Sequence, residues 1–108
     1  MSLDKEDLLR AYRMMKTIRE FEERAHTEIM NGQIAGFTHL YAGMEAIAVG
    51  VCEHLSDEDK IISTHRGHGH MIAKGGELRS MVAELFAKVT GACQGRGGRC
   101  TSWTSRVR

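Results

Sequence analysis

The sequence predicts an α/β chain that is mostly helix, with one clear strand near 60–64. Three observations lead there. Apolar residues at Leu8, Tyr12, Met15, Ile18, Phe21, Ala25 and Ile29 recur at helical spacing and make one continuous stripe. Ala46-Ile47-Ala48-Val49-Gly50-Val51-Cys52 is apolar nearly all round, the pattern of a helix covered on several sides. Lys60-Ile61-Ile62-Ser63 is a short β-like run that leads directly into Thr64-His65-Arg66-Gly67-His68-Gly69-His70, a loop of imidazoles, glycines and one guanidinium.

The elements follow in order. Ser2 or Asp4 can cap the first helix, because either side chain can accept from a free N–H of the first turn. Lys5, Arg13, Lys16, Glu20 and Glu23 form its charged face, and Asn31-Gly32 stops it. A helix of about 26 residues needs a partner surface for its stripe. A glycine-punctuated loop over 33–43 leads to a second helix over 44–55, and Ser56-Asp57-Glu58-Asp59 is a turn. After the strand and the histidine loop, Met71 to Lys74 reads as a short helix ended by Gly75-Gly76. Leu78, Met81, Val82, Leu85, Phe86 and Val89 mark an amphipathic helix ended at Gly91. From Gly95 the chain carries four arginines, no acid and no periodicity, the composition of a disordered basic tail.

With 108 residues the chain holds at most one domain. A net charge of +1 gives no case for a nucleic-acid or membrane partner. No apolar run approaches the ~18 residues of a membrane span, and the charged, helical start is unlike a signal peptide. Cys52, Cys93 and Cys100 lack metal-type spacing. An odd number of cysteines without an export signal suggests reduced thiols in a cytoplasmic protein.

The histidine loop has three readings. His65, His68 and His70 could ligate a metal, although no pair has the i, i+4 spacing of a zinc helix and no Cys or acid is near in sequence. They could simply cap helices and bond backbone groups. Or the loop binds an anion: Arg66 forms charge-assisted bonds to a phosphate, and His65 lies along the ligand. Ligands of open α/β sheets bind at the carboxyl ends of strands, where this loop falls. His39, among Phe37, Leu40 and Tyr41, reads as a core residue unless its loop meets that of Arg66. Glu45 reads as a charge favouring the N-terminus of the second helix. His26 and His54 read as surface residues. The tail also suits weak RNA binding, which leaves a small helical interaction module as an alternative function.

The order of the pieces is similar to one family. Arg19-Glu20-Phe21-Glu22-Glu23-Arg24 is followed by Gly36-Phe37-Thr38-His39-Leu40-Tyr41-Ala42-Gly43-Met44-Glu45-Ala46, then by Thr64 to His70, then by Gly91-Ala92-Cys93-Gln94-Gly95-Arg96-Gly97-Gly98. This resembles the α subunit of thiamine-diphosphate-dependent 2-oxo acid dehydrogenases, the E1 component, from about residue 5 to Gly98. His65-Arg66, where pyruvate-type chains usually carry Tyr-Arg, resembles the acetoin dehydrogenase type. The family usually has a polar residue where this chain has Met44.

The resemblance implies a doubly wound thiamine-diphosphate-binding fold, of which residues 1–98 are the mostly helical N-terminal part. It implies that Arg66 binds the cofactor's diphosphate with His65 beside it, that His68 orders their loop, and that His39 faces the reacting thiazolium or substrate. Glu45 is not implied as catalytic, since the glutamate that activates the cofactor comes from the E1 β subunit. No residue here is implied as a metal ligand, because the Mg²⁺-holding Gly-Asp-Gly…Asn motif has no counterpart. The implied reaction cleaves acetoin or a 2-oxo acid and passes the two-carbon unit to a lipoyl carrier on an E2 acyltransferase.

Such subunits are longer, so the chain reads as an N-terminal fragment, inactive alone and of low stability. Residues 99–108 depart from the family, whose glycine loop continues Ser-Met-His-(apolar). Suitable codons for Arg99 to Arg106, read from the last base of the Gly98 codon, give Ser-Met-His-Ile-Val-Asp-Val-Glu. The tail is therefore expected to be out-of-frame translation, which sequencing of the gene tests.

Overall fold

A computed structural model describes residues 3–36, 38–63 and 65–96. Ser2, Phe37, Thr64 and the tail over 99–108, with the expectations placed on them, lie outside the described residues. The described residues form the helices α1 (Lys5–Met30), α2 (Glu45–Cys52), α3 (His68–Ala73) and α4 (Leu78–Leu85).

The first helix starts and stops where its sequence says. Asp4 caps it: its carboxylate accepts from the Asp7 N–H at 2.8 Å, and the Asp7 carboxylate accepts from the Asp4 N–H at 3.3 Å. Gly32, at φ 74, takes the chain out of the helix. Only the middle of the expected stripe is deeply buried. Ile18, Glu22 and Ala25 face the core, whereas Leu8 and Tyr12 are exposed.

The main core joins α1, α2 and α3, with Met81 of α4. Ile18, Tyr41, Ala48, Val49, Ile72 and Met81 are buried together. A smaller cluster of Ala25, Ile34 and Leu85 ties the end of α1 to α4. Alongside it runs an apolar groove of about 590 Å³ between α1 and α4, walled by Phe21, Ala25, Ile34, Val82, Leu85 and Phe86. The second helix is less covered than its all-round apolar sequence predicts: Ile47 and Val51 are more than half exposed. No helix among the described residues is long and apolar enough to cross a membrane.

The described residues are all-helical, in line with a mostly helical piece, but the strand expected near 60–64 is not formed among them. Lys60 to Ser63 have no regular secondary structure, and Ile62 is 95% exposed. A strand needs a neighbour to take up its backbone N–H and C=O groups, and no second strand exists among the described residues to supply them. The helix expected from Met71 begins earlier, at His68, so His68 and His70 are helical rather than in a loop. Glycine at 69 hides this in the sequence, because glycine disfavours a helix interior. Cys52 is free and buried.

The α1–α2 junction is electrostatic. Arg19 donates from Nε to Glu45 Oε1 at 2.5 Å and from Nη2 to Oε2 at 3.2 Å. The same carboxylate accepts the Gly43 N–H, 3.0 and 3.1 Å from its two oxygens. The Arg19 guanidinium, opposed by burial and aided by the backbone donors, holds the Glu45 carboxyl down to about 2 from its ordinary 4.5.

Two outcomes are expected. Ile18→Ala is expected to cost ~2–5 kcal/mol of unfolding free energy, while Leu8→Ala, at an exposed position, should cost about 0.5 kcal/mol or less. Similar losses in denaturant titrations would contradict this core. The depressed Glu45 pKa means its contribution is complete above about 4.5 and fades as pH falls toward about 2. The variant Arg19→Met should therefore lose less stability than the parent chain over that interval; an unchanged acid limb would show that the pair contributes nothing.

Candidate functional site

The 38–43 loop and the segment 63–70 come together through rings. His65 and His39 lie edge to face, with centroids 5.5 Å apart and planes at 77°. His70 meets Tyr41 in the same manner at 5.0 Å, and His68 meets Phe21 of α1 at 5.7 Å. Each imidazole of the histidine motif thus has its own ring partner on another segment. The loop of His39 thus meets that of Arg66 at His65.

His39, His65 and Arg66 are all exposed. Arg66 has φ 65, a left-handed conformation that a side chain with Cβ adopts reluctantly. Its guanidinium makes no hydrogen bond or ion pair with any described residue. Two solvent-facing imidazoles and a guanidinium in succession form a donor set suited to an anion, and the strained backbone is of the kind that clusters at ligand sites.

Behind this outer set lies an inner one. His68 Nδ1 is 3.0 Å from Oε1 of Glu22, a residue with no solvent exposure. His70 lies between two hydroxyls: Nδ1 is 2.8 Å from Ser63 Oγ and Nε2 is 3.3 Å from Tyr41 Oη. Burial pushes the His70 pKa down and the Tyr41 pKa up. A neutral imidazole between two hydroxyls is fully satisfied, since a hydroxyl either donates or accepts. The three imidazoles are thereby turned to different partners, and no group of three His, Cys, Asp or Glu among the described residues could hold a metal ion.

A third loop is fixed by α4. Glu84, 6% exposed, accepts the Cys93 N–H at 2.8 Å and the Gly95 N–H at 2.9 Å through Oε2. Gly91 lies against the same carboxylate, where a Cβ would collide with it. The sequence reading passed over Glu22, Glu84 and the packing role of Tyr41. Its available signal was register: Glu22 and Glu84 each occupy a position that an apolar stripe calls for.

Gly69 packs directly on the Tyr41 ring, and a Cβ there would overlap the ring carbons. Gly69→Ala is therefore expected to cost ~1–3 kcal/mol by overpacking. Gly50→Ala, where a Cβ meets nothing within 4 Å, is expected to stabilise α2 by about 0.5–1 kcal/mol. Thermal melts of the two variants shifting in the same direction would refute the Gly69 contact.

Comparison with known proteins agrees with the arrangement of motifs. The family described as Dehydrogenase E1 component matches residues 13–107. The chain is 57% identical over 96 residues to the α subunit of acetoin:2,6-dichlorophenolindophenol oxidoreductase from Cupriavidus necator, covering 89% of this chain and 29% of that protein. It is 56% identical over 98 residues to the same-named subunit from Bacillus subtilis, covering 91% and 29%. To the pyruvate dehydrogenase E1 component subunit alpha from Rhizobium meliloti it is 47% identical over 94 residues, covering 87% and 27%. The chain thus spans under a third of the length of these relatives, and it belongs to the dehydrogenase E1 component family, on the side of the α subunits.

Proposed function

We propose that this chain carries the α-subunit share of a thiamine diphosphate site, of the acetoin type. The observation that carries the reading is the His39–His65 ring pair, which joins two separate motifs next to Arg66, whose guanidinium has no hydrogen bond or ion pair with a described residue. The donor set suits the diphosphate, and no carboxylate cluster among the described residues suits its metal. The higher identity to the acetoin-named relatives than to the pyruvate-named one supports the substrate type.

When bound, thiamine diphosphate supplies a nucleophilic carbon and an electron sink for cleaving acetoin or a 2-oxo acid. The chain's own residues bind and orient it. Arg66 neutralises diphosphate charge through paired N–H donors, and His65 donates beside it. His68 keeps their segment in place. His39, exposed beside His65, would face the reacting thiazolium or substrate. The other parts of the machine are an E1 β subunit and a lipoyl-bearing E2 acyltransferase that takes up the two-carbon unit. The setting we propose is cytoplasmic, and the 108-residue chain is inactive alone.

Calorimetry with Mg²⁺-thiamine diphosphate tests both statements. The chain alone should show no micromolar binding and no turnover; micromolar binding would overturn its proposed inactivity. In a complete homologous complex, replacing the arginine equivalent to Arg66 by Ala should cost ~1.5–3 kcal/mol of cofactor binding, roughly 10- to 150-fold in Kd. An unaltered Kd would remove Arg66 from the site.

A further inference from the structure

We propose that Glu22 is a positioning residue for the Arg66 loop, acting through His68 and touching no ligand; the proposal rests on the reading of that loop as the cofactor's anion site. Glu22 is fully buried, and its Oε2 has no hydrogen-bond partner. Its polar contact among the described residues is Oε1 to His68 Nδ1, at 3.0 Å. Nothing in the packing of α1 requires a carboxylate there. Glu22 lies on the buried face between Ile18 and Ala25, where leucine would fill the space without the penalty of a half-satisfied buried carboxyl group.

What the carboxylate does provide is a directional hold on α3. His68 is the first residue of that helix and follows Arg66-Gly67 directly. The neighbouring Phe21 meets the same imidazole edge-on. Two successive residues of α1 thus grip one ring, by a hydrogen bond and by an aromatic contact. With Nδ1 engaged by Glu22, Nε2 is the nitrogen left for any further bond, so ring orientation and the bonding role of each nitrogen are set together. The segment before it cannot shift far while His68 is held, and Arg66 sits in that segment with its backbone already strained at φ 65.

Hydrogen exchange of the full 108-residue chain, followed by mass spectrometry at low micromolar concentration without ligand, tests this. Glu22→Leu preserves the buried volume and removes the bond. It is expected to raise exchange over 65–71 by ~10-fold, with less than ~3-fold change in α4. Glu22→Gln retains an oxygen acceptor and is expected to restore the parent pattern over 65–71. His68→Ala should open the same segment, and Glu22→Leu combined with it should add nothing further, as two members of one interaction require. Equal acceleration in all helices, an unchanged pattern in Glu22→Leu, or failure of Gln to restore protection would overturn the proposal. Cofactor titration of the complete homologous complex separates the two readings. Local opening in Glu22→Leu of this chain, together with an unaltered cofactor Kd when the arginine equivalent to Arg66 is replaced by Ala, would uphold the positioning role and overturn the cofactor site.

Discussion

A carboxylate inside a protein is tolerable only where hydrogen-bond donors reach it. Among the described residues the buried polar or charged side chains are Glu22, Glu45 and Glu84. Each stands on a different helix and holds a different loop. Glu22 of α1 is bonded to His68, Glu45 of α2 to Gly43 N–H and Arg19, and Glu84 of α4 to the Cys93 and Gly95 N–H groups. Hydrogen bonds to charged groups contribute ~1.5–3 kcal/mol each, and losing the donor leaves the whole desolvation penalty behind. The loops that carry His39, Arg66 and the glycine run are therefore fixed to the helical frame at the points where release costs most.

Ring contacts play a smaller part in that arrangement. An edge-to-face pair is worth about 0.5–1.5 kcal/mol beyond its burial, and His39 and His65 are both exposed, where the gain is least. The His39–His65 pair marks a convergence that other forces produce. Tyr41 is the stronger element. It is buried in the main core, packs on Gly69 and bonds to His70. With Glu45 tying Gly43 to α1, both ends of the short Tyr41–Gly43 segment are secured, and His39 lies just before it.

Legibility in the sequence divides along the same line. Helix α1 could be read to within a residue, because its cap, its stripe and its terminal glycine are all local signals. The residues of the proposed anion set, His65 and Arg66, could be named from the sequence, since the chemistry of side chains does not depend on packing. The strand at 60–64 was misread because β propensity is a statement about side chains, whereas a strand exists only through a partner. The start of α3 was misread because Gly69 lowers helix propensity, and the compensating contact with Tyr41 lies 28 positions away along the chain. Glu22 and Glu84 carry no local signal that marks them as buried. Each nevertheless occupies a core register, i+4 from Ile18 and i+3 from Met81, and a polar residue at such a register is a sequence signal that can be searched for.

The largest mismatch between pattern and structure is in α2, and it carries information. A helix apolar on all sides is stable where all its sides are covered. Here Ala48, Val49 and Cys52 are covered by α1 and α3, whereas Ile47 and Val51 face solvent. The same holds for Leu78 and Val82 on α4, beside the apolar groove. Exposing Ile47 and Val51 forgoes about 25 cal/mol for each Å² of apolar surface left in water. Single exposed apolar residues are commonplace, but here two stand on one helix that carries no polar side chain from Ala46 to Cys52. The buried carboxylates are bonded to their loops and helices except at Glu22 Oε2, whereas the outer face of α2 is not complete in its packing. Hydrophobic pattern and local geometry thus report on different things: geometry on the contacts that the described residues make, pattern on the contacts under which such a helix would be most stable.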